Sequence, residues 1–166
     1  MHPSPHDLLR LLSEAKRLDW GSPEQLRLLE RLRTSCPAHV PGLLLSSRAL
    51  LWGKPEPTED PEAFFASVEQ LLHEALESSD RSPEALIGMA RFQSVVRDSP
   101  QQAEALYQEA SNRALSALEE SWAGLIESLV EQGKTEEAAR LATRARALFP
   151  DSTAIAEAHG SGGLDK

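Results

Sequence analysis

The sequence predicts an all-α protein built from repeated pairs of helices, and three observations carry that expectation. No segment alternates apolar and polar residues over the length of a strand, and β-branched residues are scarce. Leu and Ala supply most of the apolar content while aromatic residues make up only 5%, as suits stacked helices rather than a sheet. Trp122 to Pro150, WAGLIESLVEQGKTEEAARLATRARALFP, holds two helical patterns hinged at Gly133. A hairpin of this kind cannot bury its apolar face alone, so it implies similar neighbours.

Residues 1–6 hold two prolines and two histidines and read as a disordered start. Asp7 is placed to cap a first helix from Leu8 to about Leu18, with Leu8, Leu9, Leu11, Leu12 and Ala15 as its buried stripe. Trp20-Gly21-Ser22-Pro23 is a turn, Ser22 being the cap and Pro23 the first helical residue of a second helix. That helix carries Leu26, Leu28, Leu29 and Leu32 as far as Cys36-Pro37. A third helix is expected from about Val40 to Trp52. Residues 53–61 are too rich in proline and acid to be helical and read as an insertion loop. A fourth helix follows over about Glu62 to Ser78, and Ser82-Pro83-Glu84 opens a fifth. Ser99-Pro100 caps a sixth, Gln101 to about Leu118, which lacks a closing proline. Glu119/Glu120 and Glu136/Glu137 are placed to head the two helices of the last pair, where acids favour the N-terminal dipole. Ser152 is a candidate cap for a short stub, and 160–166 reads as a flexible tail.

The spacing Trp122-x2-Leu125-Ile126-x2-Leu129, Gly133, Ala138-x3-Ala142, Ala145, Pro150 resembles the tetratricopeptide repeat (TPR) signature of helix, tight turn, helix. It departs only after Leu125, where Ile126 stands in place of glycine. Leu9, Leu12, Gln25, Leu29, Leu32 and Pro37 fall at matching intervals, a second copy kept in period. The resemblance covers most of 7–150 and implies a right-handed helical-hairpin array with pairs at about 7–37, 40–79, 83–118 and 119–150, ending at 159. An array of helical hairpins outside that family is the other reading of the same pattern.

Charge and chemistry narrow the function. The net charge is −9, unevenly spread: 1–54 carry a net +3, 55–132 a net −12, and 133–166 balance. An acidic middle argues against nucleic acid, whose phosphates need a basic face. One cysteine, Cys36, rules out a disulfide framework and a Cys-based zinc site and suits a reducing, cytoplasmic setting. The start has no basic, apolar and small-residue succession of a signal peptide, and no apolar run approaches a membrane span. His2 and His6 lie in the start that reads as disordered, and His39, His73 and His159 are scattered over a loop, a helix and the tail. Phosphate-loop, nucleophile-elbow and HExxH patterns are absent. The sequence therefore implies no enzyme, no cofactor and no metal.

The TPR resemblance implies a binding module whose concave face, formed by the first helix of each pair, holds a peptide or helix of another protein. The alternatives are a small acidic secretion-type chaperone and a self-associating structural subunit. Repeat spacing places Arg10, Glu14 and Arg17 of the first helix on that face, with Leu44, Arg48, Leu51 and Trp52 of the third and Glu127 and Glu131 of the seventh. Trp52 has two readings, a partner anchor or a residue packed on the Pro-rich loop beside it. The asparagine-and-lysine clamp with which some TPR domains grip chaperone tails is not matched, since Asn112 is the only asparagine. At the C-terminal end Ile155 is the one large apolar residue over 152–159. That predicts an incompletely covered edge and weak self-association through it.

Overall fold

Proline-started helices with polar caps set the architecture. The computed structural model describes residues 4–53 and 60–160. Among these it contains eight helices and no strand: α1 Pro5–Ala15, α2 Pro23–Ser35, α3 Val40–Trp52, α4 Pro61–Ser78, α5 Pro83–Val95, α6 Pro100–Glu131, α7 Thr135–Leu148 and α8 Thr153–Gly160. Proline stands in the first turn of α1 through α5, where its missing N–H costs nothing. Ser4, Ser22, His39, Asp60 and Ser82 each accept a backbone N–H at these starts.

The first helix begins earlier than the sequence suggested. Ser4, not Asp7, is its cap, and Asp7 completes a capping box: the Asp7 N–H donates to Ser4 Oγ at 3.2 Å, while the Ser4 N–H donates to the Asp7 carboxylate. Hydrogen bonds from Ser4 hold the Asp7 carboxyl below its usual range. Residues 4–6 are thus ordered into the cap and first turn. Of the loop expected over 53–61, Asp60 instead caps α4 and Pro61 begins it, and Gly160 of the expected tail ends α8; residues 1–3, 54–59 and 161–166 lie outside the described residues.

Two compact units result, 1–110 and 111–166, with their boundary inside α6. In the first, Leu11, Leu12, Ala15, Leu29, Leu32, Leu45 and Ala49 join α1, α2 and α3. Leu9, expected in the stripe, is exposed because it falls off the Leu8–Leu11–Leu12–Ala15 face. A larger cluster joins α3, α4 and α5 through Leu43, Leu72, Leu86, Met89 and Phe92, and Leu106 and Ala110 of α6 pack on it. Arg81 clamps Glu109 of α6 at 2.7 Å.

The turn expected at 118/119 does not form, and α6 runs unbroken. From Gln101 to Ala123 the chain has neither glycine nor proline, so nothing interrupts the i→i−4 hydrogen bonds. Glu119 and Glu120 consequently lie inside a helix instead of heading one.

In the second unit α6 residues from Trp122 onward pair with α7. Gly133 makes the hairpin turn at φ +72°, a conformation that costs glycine little. Ala123, Ile126, Ala138, Ala142, Ala145, Ile155 and Ala158 form the core. Trp122 packs edge-on against Phe149, ring centres 6.2 Å apart, with the Arg144 guanidinium over its ring. The stub α8, capped by Ser152, buries Ile155 and Ala158 completely, so it covers α7 better than its length suggests. Leu125 and Leu148 stay exposed.

Two stability predictions arise here. Ala142→Leu inserts three carbons into a site with 1% exposure and should cost about 1–3 kcal/mol through overpacking. An unchanged melting curve would contradict the tight α6–α7–α8 packing. The second concerns pH. His39 Nδ1 accepts the Gly42 N–H at 3.1 Å, and burial lowers the imidazole's pKa. Protonation would turn that acceptor into a donor and break the cap. A depressed histidine contributes stability that is intact above its unfolded pKa of about 6.5 and is lost as pH falls below it. His39→Asn keeps a capping acceptor without titrating. It should flatten the part of the stability loss that sets in as pH falls below about 6.5, measured by urea denaturation.

Candidate functional site

A cleft of about 670 Å³ opens where α3 and α5, the first helices of their pairs, lie side by side. It is within the range of roughly 300–1,000 Å³ usual for ligand sites. Ser47, Leu72, Gly88 and Phe92 are its more deeply placed lining residues. Arg48, Leu51 and Trp52 come from α3, Phe65 from α4, Arg91 and Val95 from α5, Val96 from just beyond it, and Trp20 from the α1–α2 turn.

Close backbone packing shapes this cleft. A Cβ on Gly88 would stand 3.2 Å from methyls of both Leu44 and Leu72, so glycine lets α5 approach α3 and α4. Arg97 ties the end of α5 to α4, bonding Glu62 at 2.6 Å and Glu69 at 2.7 Å, with its guanidinium 5.5 Å from the Phe92 ring centre. Gln93 donates to Glu69 as well, at 3.0 Å. The part of the cleft beside Phe65 and Val96 is therefore braced by a charge network.

Trp20 is set by the turn that follows α1. Gln25 is buried, and its side chain donates to the Ala15 carbonyl at 3.0 Å and accepts the Gly21 N–H at 2.8 Å. Gly21 has φ +69°, and a Cβ there would meet the Gly53 backbone and stand 3.0 Å from the Ala49 carbonyl. Two chain segments thus touch at paired glycines, each directly following a tryptophan, and this contact brings Trp20 and Trp52 to one cleft. Their exposures of 52% and 62%, with 67% for Val95, are unusual for such large apolar groups.

Of the residues expected on the inner face, Arg48, Leu51 and Trp52 come together here. Trp52 is more than half exposed, and the loop segment 54–59 lies outside the described residues. Leu44 is largely buried in the α3–α4–α5 core. It also edges a smaller adjoining depression of about 380 Å³, which is lined by Lys16, Arg48 and Glu84 among others. Arg10, Glu14 and Arg17 are exposed but line neither cavity; Arg10 faces Asp7 at 3.8 Å. Arg17 lies past the end of α1. Glu127 and Glu131 are exposed on the part of α6 that belongs to the second unit.

Trp20, Arg91 and Val95 were not singled out by sequence reasoning, although a signal existed. The dipeptide Trp-Gly occurs at 20–21 and again at 52–53, each time closing the first half of a helical pair. Lys16 and Trp20, Arg48 and Trp52, and Arg91 and Val95 repeat one pattern, a cation four residues before a large apolar group. Within α3 and α5 a spacing of four puts both members of the Arg48–Trp52 and Arg91–Val95 pairs on one helix face, whereas Lys16 and Trp20 lie past the end of α1. Among the described residues no group of three or more His, Cys, Asp or Glu could hold a metal, and no helix is long and apolar enough to cross a membrane.

Comparisons with known proteins bear on the same region. The Myxococcota tetratricopeptide repeat protein family matches residues 1–80, the part that contains α1 to α4. The chain is 42% identical over 159 residues to an uncharacterized 18.1 kDa protein in the carS 3′ region of Myxococcus xanthus, spanning 95% of this chain and 92% of that one. No solved structure matches. TPR-type repeats are generally a non-enzymatic fold that mediates contacts between proteins.

Proposed function

Since the chain belongs to the Myxococcota tetratricopeptide repeat protein family, we propose that it is a non-catalytic interaction module that holds a peptide or helix of a partner protein in the Trp20–Trp52 cleft. The single observation that carries this is the exposure of Trp20, Trp52 and Val95 around a cavity with an apolar base. Aromatic and arginine side chains are the usual anchors of binding energy, and here both kinds edge one cleft. An apolar helix face or extended strip laid across it would cover the three exposed groups and the floor together.

Trp52→Ala is the test. At 62% exposure its loss should change stability by no more than about 0.5 kcal/mol. Wild-type protein used as bait in an extract of its native host should retain a partner in stoichiometric amount. Trp52→Ala, shown by its melting curve to be folded, should lose that partner. Retention by the variant, or unfolding of the variant, would contradict the assignment. Self-association is the second reading, supported by Leu125 and Leu148, which are 48% and 58% exposed in the C-terminal unit. Sedimentation at high concentration should then show a dimer that Leu148→Glu abolishes; a strict monomer would remove it.

A further inference from the structure

We infer that the cleft selects a partner segment that is both apolar and acidic: large apolar side chains flanked by Asp or Glu. The inference rests on the binding role proposed for this cleft and adds the chemistry of its occupant.

Charge carries it. The protein has a net charge of −9, yet among the described residues the cleft lining contains two arginines, Arg48 and Arg91, and no carboxylate. Neither guanidinium makes an ion pair or side-chain hydrogen bond among the described residues. The nearby acids of α4, Glu62 and Glu69, are already held by Arg97. Lys16 extends the row through the adjoining depression, which shares Arg48; one carboxylate, Glu84, lines that second cavity. Successive helical pairs thus offer a cation and, four residues on, an exposed apolar group: Lys16 and Trp20, Arg48 and Trp52, Arg91 and Val95. An isolated cation at an apolar site favours an occupant that brings a carboxylate, because charge-assisted bonds form most strongly away from bulk water. The apolar groups stand out around the cleft instead of lying at its base, so a macromolecular segment laid over it buries them where a small molecule inside would not.

Two designed peptides test this by tryptophan fluorescence, using the full chain with Trp122→Phe so that only Trp20 and Trp52 report. Both are twelve-residue amphipathic helices with Leu and Phe on one face, one with Glu at the flanks and the other with Lys there. The Glu peptide should bind at least about tenfold more tightly at low salt and lose that advantage as salt rises. Arg48→Gln with Arg91→Gln should abolish the preference without changing the melting temperature. The overall charge alone would favour the Lys peptide. If the Lys peptide binds equally or better, or the double variant keeps the preference, the inference falls. Cleft binding itself survives that result provided Trp52→Ala weakens both peptides. Failure of both peptides to bind overturns the inference and the cleft assignment together. Dodecanoate binding as tightly as the Glu peptide would mark an acyl-chain site and overturn the inference also.

Discussion

Phe92→Ala is expected to be among the most damaging single substitutions in the N-terminal unit, costing about 3–5 kcal/mol. Phe92 is only 1% exposed, joins the α3–α4–α5 core and supports the Arg97 guanidinium that braces α4 against α5. Such a loss is a large share of the about 5–15 kcal/mol that holds a domain together. Trp52 lines the same cleft and is the larger side chain, yet its removal should cost about 0.5 kcal/mol or less. Urea denaturation of the two variants decides the matter. Comparable losses would mean that Trp52 is part of the core and that the cleft has no separable lining.

Gly21→Ala is expected to act on stability and cleft shape together. The residue has φ +69° and faces the Gly53 backbone and the Ala49 carbonyl. Left-handed backbone alone costs a residue with a Cβ about 1–2 kcal/mol, and the close approach adds to it. Gly53→Ala separates the two causes. Its φ is −63°, so any loss there comes from crowding against Gly21 and the Ala49 carbonyl, each 2.6 Å from the added Cβ. Gly21→Ala should melt lower than Gly53→Ala. Both should change the emission of Trp20 and Trp52 in the Trp122→Phe background. Unchanged stability in both variants would contradict the glycine contact that pairs the tryptophans.

Much of the fold was legible because its signals are local. Ser22-Pro23, Ser82-Pro83 and Ser99-Pro100 punctuate the chain where α2, α5 and α6 begin, since a polar cap followed by proline suits a helix start and little else. Gly133 turns the α6–α7 hairpin where the spacing placed it. The unbroken α6 was missed for a different reason. Repeat spacing implied a boundary near Glu119, but a boundary needs a residue that ends the helix, and Gln101 to Ala123 contains none.

The candidate site was half legible. Arg48, Leu51 and Trp52 followed from repeat spacing on a single helix. Trp20 depends on a contact between two turns, and Arg91 with Val95 depends on how closely Gly88 lets α5 approach α3. Contacts between distant segments leave little trace in local periodicity. The acidic middle of the chain also pointed away from a cationic cleft, because Glu62 and Glu69 are consumed by Arg97 before they can reach an occupant.

The central claim, that a partner segment seats on the Trp20–Trp52 cleft, meets its most direct test in tryptophan emission. The partner retained from the native host is titrated into Trp122→Phe protein, leaving Trp20 and Trp52 as the only tryptophans of the chain. The cleft account predicts a saturable blue shift at one-to-one stoichiometry as both half-exposed indoles leave water, and its loss in Trp52→Ala. Stoichiometric binding that leaves the emission of both indoles unchanged would contradict it.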